Sequence, residues 1–300
     1  MIDGKQTLLV TGANGQLGRR VVELLLEKGG DHVVAVTRDP AKLADLAKRG
    51  VAVRQGDFDD AATLSAAFAG VERALIVSTD AVGTPGARRK QHTAAIAAAV
   101  AAGVKHIVYT SGPSPHPDPD FAIADDHYWT EQAIAARPVG WTMLRNNLYA
   151  EIALIGLVNA LPSGKLLTAT RGGARSYVTR EDCARVAAVA LAGSYEGQRI
   201  LDVTGPAPVT QVELAAMASA ISGRPLEVVD MDGDALRQTL VKVGVPEVYV
   251  DMTVGFDREA ARGYYAMVTS VVEDLTGRPP MALKTFLEQN REALVAAAAA

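Results

Sequence analysis

Three glycines recur at every third position in the run Thr11-Gly12-Ala13-Asn14-Gly15-Gln16-Leu17-Gly18. The run joins a short apolar stretch, residues 7–11 (TLLVT), to a segment of helical periodicity, residues 16–28. A turn of this kind leaves backbone amides unpaired at the helix start, where the helix dipole adds partial positive charge. Gly12 suits the tight turn, Gly15 admits a diphosphate close to the backbone, and Gly18 lets the helix pack on the strand. With Ala13, Asn14, Gln16 and Leu17 between them, these glycines read as a G-x-x-G-x-x-G variant of the dinucleotide fingerprint.

A second β-rich run, residues 32–37, ends in Thr37-Arg38-Asp39, with Lys42 one turn later. An acid about 20 residues past the glycines would accept from the ribose 2′-hydroxyl of NAD. Arg38 instead offers a planar, permanently charged fork to a 2′-phosphate, with Lys42 as a nearby point charge, so NADP(H) is the expected cofactor. Asp39 is the competing candidate, because a small backbone shift would present its carboxylate. Asp57, in Gly56-Asp57-Phe58 after a third strand, suits the adenine amino group or a solvated turn equally.

A further cluster is Asp126-His127-Tyr128-Trp129-Thr130-Glu131. His127 and Glu131 fall one turn apart on one helix face. A histidine, with its ordinary pKa of ~6.5, suits general-acid work, and the carboxylate would orient it. A purely structural helix-face pair fits the same spacing. His32, His92, His106 and His116 show no ligand spacing, so no metal is expected. His116 with Asp118 and Asp120 reads as a polar loop over the pocket.

These residues need elements to hold them. Strand-like runs at 7–11, 32–37, 51–55, 73–77, 106–110 and 141–145 alternate with helical patterns at 16–28, 40–48, 61–68, 88–102 and 122–136. Such alternation implies parallel strands with helical crossovers, an α/β doubly wound Rossmann sheet. The proline-dense stretch 112–120 (GPSPHPDPD) excludes helix and suggests a mobile loop after a strand end. Beyond residue 151 the pattern turns mainly helical, at 152–161, 180–192, 209–221, 233–243 and 285–299, with a strand at 199–203. The expected organisation is a cofactor domain over 1–150, with parts of 175–205 returning to it, and a smaller substrate-binding part over 151–300.

Bulk composition narrows the partners. Hydrophobic residues make up 49% and charged residues 21% of the 300, with a net charge of −4. Basic residues are dispersed, so neither nucleic acid nor an anionic membrane is expected. The single cysteine, Cys183, excludes an intrachain disulfide and agrees with a cytoplasmic, reducing setting. The chain opens into a strand-like segment with no secretory leader pattern, and its longest apolar run, residues 94–104, is too short to span a bilayer.

The segments TGANGQLG, AVTRDPAK, VRQGDFDD, GVERALIVST, AGVKHIVYTS and MLRNNLYAE together resemble the NmrA-like branch of atypical short-chain dehydrogenases, and within it the quinone- and dye-reducing members. The likeness spans almost the whole chain and is densest from Leu8 to Glu151. It implies cofactor contacts at residues 12–17, at Arg38, at Ser78 and Thr79, and along 143–149, where Asn146, Asn147 and Tyr149 lie. Thr110 and Ser111 would meet the nicotinamide ribose. Ordinary short-chain dehydrogenases carry a tyrosine with a lysine four residues on, the lysine lowering the tyrosine pKa for proton transfer. No tyrosine here has that lysine. Where the pair would fall stand His127, Tyr128 and Glu131, and Tyr128 is a candidate for the tyrosine's part without its lysine. Hydride transfer to a simple ketone makes a basic alkoxide that needs an acid close by. Transfer to a quinone makes a delocalised anion that water can protonate. The expected activity is therefore NADPH-dependent reduction of a small-molecule acceptor such as a quinone. The alternatives are an NADP(H)-sensing protein without turnover, or a carbonyl or activated C=C reductase. A homodimer is the assembly considered.

Overall fold

The computed structural model describes residues 6–300. Residues 1–5, which include the start of the expected cofactor domain and of any leader, lie outside the described residues.

Strands and helices alternate as β1 (Thr7–Val10), α1 (Gln16–Lys28), β2 (His32–Thr37), α2 (Ala44–Lys48), β3 (Ala52–Gln55), α3 (Ala61–Phe68), β4 (Arg73–Ile76), α4 (Ala87–Ala101), β5 (His106–Ser111), α5 (Ala122–Ala135) and β6 (Gly140–Asn146). The chain continues through α6 (Ala150–Ala160), β7 (Lys165–Thr168), β8 (Ala174–Arg175), α7 (Arg180–Ala192) and β9 (Gln198–Val203). It closes with β10 (Val209–Thr210), α8 (Gln211–Ser222), β11 (Glu227–Asp230), α9 (Gly233–Lys242), α10 (Glu247–Ala261), α11 (Val271–Thr276), α12 (Leu283–Gln289) and α13 (Arg291–Ala299).

A seven-stranded sheet runs in the order β3-β2-β1-β4-β5-β6-β9, with every pairing parallel. The period-two alternation of the strands sorts their side chains onto two faces. Leu8, Val10, Val33, Ala35, Leu75, Val108 and Leu144 face α1 and α7. Leu9, Val34, Val36, Ala74, Ile76, Ile107 and Met143 face α3, α4 and α5. Both faces are thus dry, as an all-parallel sheet requires. In α1 the buried Leu17, Val21, Val22 and Leu25 follow the helical period.

A third core joins α6, α8, α12 and α13 around Leu157, Leu161, Ala218 and Leu287. Between the two parts the chain crosses over and back. Val178 pairs with Tyr149 as a parallel bridge, so the chain re-enters the sheet layer through α7 and β9. Two small two-stranded sheets, β10-β8 and β11-β7, accompany the helices of the C-terminal part.

Three expectations for the C-terminal half are corrected. The helix expected over 285–299 is two, broken at Asn290, whose side-chain amide donates to the Phe286 carbonyl at 2.8 Å and whose backbone amide donates to the same carbonyl at 3.2 Å, closing α12. The helix expected from 209 starts at Gln211, because Thr210 caps it: the Thr210 hydroxyl accepts from the Glu213 amide and the Glu213 carboxylate accepts from the Thr210 amide. Helix α10 was not anticipated at all. No helix among the described residues is long and apolar enough to cross a membrane.

Candidate active site

The chemistry-bearing residues gather at the carboxyl ends of β1, β2, β4, β5 and β6, where ligands of open α/β sheets bind. Thr11 Oγ1 donates to the Leu75 carbonyl (3.2 Å) and accepts from the Val77 amide (2.9 Å), tying the ends of β1 and β4. Gly12 then turns with φ of 59°, a conformation that favours glycine. A Cβ on Gly18 would stand 2.5 Å from the Gly12 carbonyl oxygen, so the close seat of α1 on the turn requires glycine there. Helix α1 has no side-chain cap at Gly15. The amides of Ala13 and Gly15 are committed internally, to the carbonyls of Val36 (3.0 Å) and Gly12 (2.9 Å). Those of Asn14, Gln16, Leu17 and Gly18 have no protein acceptor among the described residues. The turn therefore offers a narrower set of donors than the whole run 12–18.

At the end of β2, Asp39 accepts from the Ala41 amide (3.1 Å) and caps the short 3₁₀ turn Pro40–Leu43. That contact engages one of its two carboxylate oxygens with the backbone. Arg38 and Lys42 are exposed and form no ion pair among the described residues. Asp57 accepts from the Asp59 amide (3.0 Å), while its own amide donates to Thr63 Oγ1 (3.0 Å). Of its two expected roles, the geometry favours the turn.

Beyond β4 and β5 the backbone is stitched by side chains. The Ser78 amide donates to Thr110 Oγ1 (2.8 Å), and the Thr110 hydroxyl donates to Ser78 Oγ (3.3 Å). The Thr79 amide donates to His92 Nε2 (3.0 Å). That contact makes Nε2 an acceptor, so Nδ1 carries the proton and donates to Thr130 Oγ1 (3.0 Å), whose hydroxyl passes on to the Asp126 carbonyl (2.6 Å). His92 is completely buried, and burial reinforced by the Arg88 guanidinium lowers its pKa to about 3.

His127 belongs to the same buried network. Arg88 can only donate, so His127 Nε2 accepts from it (3.3 Å) and Nδ1–H donates to the Tyr109 hydroxyl (2.8 Å). Burial, reinforced by the Arg88 guanidinium, holds the imidazole pKa well below its ordinary value. Gly112 covers the ring, its Cβ position lying 2.9 Å from Cδ2. Glu131 does not orient His127, contrary to the expected pair. Its Oε1 accepts from Ser111 Oγ (2.7 Å) and Arg145 Nε (3.0 Å), and its Oε2 from Arg145 Nη2 (2.7 Å). The fork of Arg145 on β6 outcompetes an imidazole one turn away, because a bidentate charged contact is the stronger bond. Tyr128 is half-buried and sits edge-on to Trp129, with ring centroids 5.1 Å apart.

The segment after β6 divides. Asn146 donates to the Tyr149 hydroxyl (3.3 Å), and its buried Oδ1 has no hydrogen-bond partner. Asn147 is committed to structure: it donates to the Tyr265 carbonyl (3.1 Å) and accepts from the Leu148 amide (2.8 Å). Burial pushes the Tyr149 phenol up, and Arg180 lies over its ring at 5.1 Å.

The proline-dense loop, expected to be mobile, is tied to the C-terminal part. Ser114 Oγ donates to the Tyr264 carbonyl (3.0 Å), Arg258 donates to Asp118 (2.6 Å), and His116 stands beside Glu259 of α10 (3.5 Å). Sequence reasoning placed nothing from α10 in the site. The run Asp257-Arg258-Glu259 carried the signal, but Val248, Val250, Thr253, Val254 and Gly255 made its surroundings look unlike helix.

The residues present suit a dinucleotide with a 2′-phosphate. Four unpaired amides converge at an uncapped helix start, two exposed cations stand past β2, and a buried acceptor on Asn146 lacks a donor.

The comparisons agree. A family model described as NAD(P)H-binding matches residues 12–193. Quinone oxidoreductase 2 of Escherichia coli (strain K12) is 34% identical over 277 residues, covering 92% of this chain and 96% of that protein. Its crystal structure in complex with NADPH superposes with a TM-score of 0.88, covering 94% of this chain and 99% of that one. The NAD(P)H azoreductase of Xenophilus azovorans is 30% identical over 293 residues, covering 97% of this chain and 100% of that protein. The triphenylmethane reductase of Citrobacter sp., complexed with NADP(H), is 31% identical with a TM-score of 0.84, covering 97% of this chain and 99% of that one. The chain belongs to the NAD(P)H-binding family, in its NmrA-like branch of atypical short-chain reductases, and is an NAD(P)H-dependent oxidoreductase.

Proposed function

We propose that the protein reduces quinones or similarly conjugated acceptors at the expense of NADPH. One observation carries the choice of acceptor: the segment that would hold a tyrosine–lysine proton donor has Tyr128 with no lysine to activate it, and His127 beside it is a buried neutral imidazole with both nitrogens hydrogen-bonded. Without a ready acid, the acceptors best served are those whose reduced form spreads its charge and draws its proton from water. Relatives named for a quinone, an azo compound and a triphenylmethane dye, all conjugated acceptors, support the same class.

Bound, NADPH supplies the hydride. Gln16, Leu17 and Gly18 offer their amides to the diphosphate, with Asn14 beside them. Arg38 grips the 2′-phosphate and Lys42 adds attraction. Thr79, Thr110, Ser111 and Asn146 would hold the nicotinamide end, with Thr79 positioned by His92 and Ser111 by Glu131. Residues 151–300, apart from the returning α7 and β9, provide the wall against which a flat acceptor rests. Proximity and orientation then supply much of the rate.

The test is cofactor oxidation across a panel of quinones, dyes, aldehydes and simple ketones, run with NADPH and with NADH. Rapid NADPH consumption with quinones or dyes, and slow consumption with ketones, is expected. Equal use of both cofactors defeats the NADPH assignment, and faster ketone than quinone turnover defeats the acceptor assignment.

A further inference from the structure

His116 and Asp118 lie in the loop between β5 and α5, and Glu259 lies in the last turn of α10. Folding brings the three together, with one ligand atom from each within 4.8 Å of the others. The His116 Nδ1–H donates to the Ser114 carbonyl (2.8 Å), which turns the other ring nitrogen toward the acids. Nε2 stands 3.6 Å from Asp118 Oδ2 and 3.5 Å from Glu259 Oε2. Glu259 is only 1% exposed. Both His116 Nε2 and Glu259 Oε2 are buried without any hydrogen-bond partner.

Lone-pair atoms facing one another away from water are costly unless something positive lies between them. The separations exceed the ~3.2 Å limit of an ordinary N–H···O hydrogen bond. They match the edge of a tetrahedral zinc site, where bonds of ~2.0–2.1 Å place ligand atoms ~3.4 Å apart. A ring nitrogen donating to a backbone carbonyl is the usual outer support of a metal-bound histidine. We propose that His116, Asp118 and Glu259 form a site for a divalent transition-metal ion of the zinc class, which clasps the β5–α5 loop to α10. One nitrogen with two carboxylates suits zinc better than magnesium or calcium, which favour all-oxygen sets.

Two arginines oppose the ion. Arg258 donates to Asp118 Oδ2 (2.6 Å), and Arg262 donates to Glu259 Oε1 (2.9 Å). They neutralise the carboxylates in the metal-free chain, and their repulsion weakens metal binding. Removal of Arg258 should therefore tighten it, an outcome that a purely structural ion-pair cluster does not produce.

The experiment is equilibrium dialysis of the chelator-treated full chain against Zn²⁺, with Mg²⁺ in parallel and thermal midpoints recorded for every variant. The expected result is one Zn²⁺ per chain, weakened about tenfold or more in H116A and in E259Q, on the scale of losing a site-supporting group. R258A should bind more tightly, and Mg²⁺ should not bind. Because Glu259 is buried and E259Q can fail to fold, the half-exposed His116 carries the test. Binding below one equivalent, H116A binding as tightly as the unaltered chain, or folded R258A binding more weakly would each overturn the proposal.

Discussion

Replacement of Arg38 by alanine separates the two dinucleotides. Arg38 is exposed and has no ion pair among the described residues, so its loss breaks nothing inside the fold. Stability should stay within about 0.5 kcal/mol of the unaltered chain, as for most surface changes away from special contacts. On the proposed function, what disappears is the guanidinium's contact with the 2′-phosphate. A hydrogen bond to a charged group contributes ~1.5–3 kcal/mol, and each ~1.4 kcal/mol is tenfold in affinity. NADPH should therefore bind about 10- to 100-fold more weakly, toward the lower end at high salt because the site is open to screening. Lys42 stands near and compensates in part, so the double variant R38A/K42A should lose more than R38A alone. NADH has no 2′-phosphate, and its affinity should change less than about twofold, within the ±0.5 kcal/mol of a neutral surface change. The assay is titration of each cofactor by fluorescence or calorimetry, with steady-state KM and kcat alongside. At saturating NADPH kcat should hold, since the contact is made equally in the ground and transition states. A parallel loss for NADH, or unchanged NADPH affinity, would refute a 2′-phosphate seat at Arg38.

Gly18→Ala should weaken NADPH and NADH alike, because its Cβ would stand 2.5 Å from the Gly12 carbonyl and push α1 off the diphosphate turn; a stability loss of ~1–3 kcal/mol should accompany it in urea denaturation. Glu131→Ala should destabilise the chain by ~3 kcal/mol, since it strands the Arg145 guanidinium; a denaturation midpoint like that of the unaltered chain would show that Glu131 does not anchor β6 to α5. His92 has a folded pKa of about 3, below its unfolded value of ~6.5, so its neutral form stabilises the fold fully above pH ~6.5 and progressively less as pH falls toward 3. The stability gap between the unaltered chain and His92→Gln should accordingly shrink by ~1.4 kcal/mol for each pH unit lowered within that window, and a gap constant between pH ~6 and ~4.5 would exclude a buried neutral His92.

The cofactor half was legible because its local signals and its tertiary demands coincide. Around Gly12 and Gly18 the hydrophobic period changes from two to 3.6, and only glycine fits there, so sequence and packing point the same way. Helix α10 is the opposite case. Its β-branched residues argue for strand, while Gly255 is required because a Cβ there would lie 2.2 Å from the Phe121 ring. That constraint comes from the packing of another segment and leaves no periodic trace. The approach of His116 to Glu259 is hidden for the same reason, since one partner sits in a proline-rich loop and the other in the unanticipated helix. The pairing of His127 with Glu131 failed differently. Their spacing did place both on one helix face, but spacing reports proximity and says nothing about competing donors from β5 and β6.

That competition bears on the chemistry itself. For His127 to protonate a substrate it would first have to acquire a second proton, beside Arg88 and away from water, and then break its bond to Tyr109. Burial and the Arg88 guanidinium both oppose the charged form, so the imidazole is neutral at neutral pH. His92 is held neutral in the same way, with Thr79 on one nitrogen and Thr130 on the other. The two buried histidines thus act as fixed dipoles that hold the Thr79 amide and the Thr130 and Tyr109 hydroxyls, and they store no proton for delivery. On the proposed function, a site floored this way would hold a hydride donor and a flat acceptor in register, with neither histidine supplying the proton. That is the physical ground for the proposed preference for acceptors whose reduced anions are stable long enough to meet water.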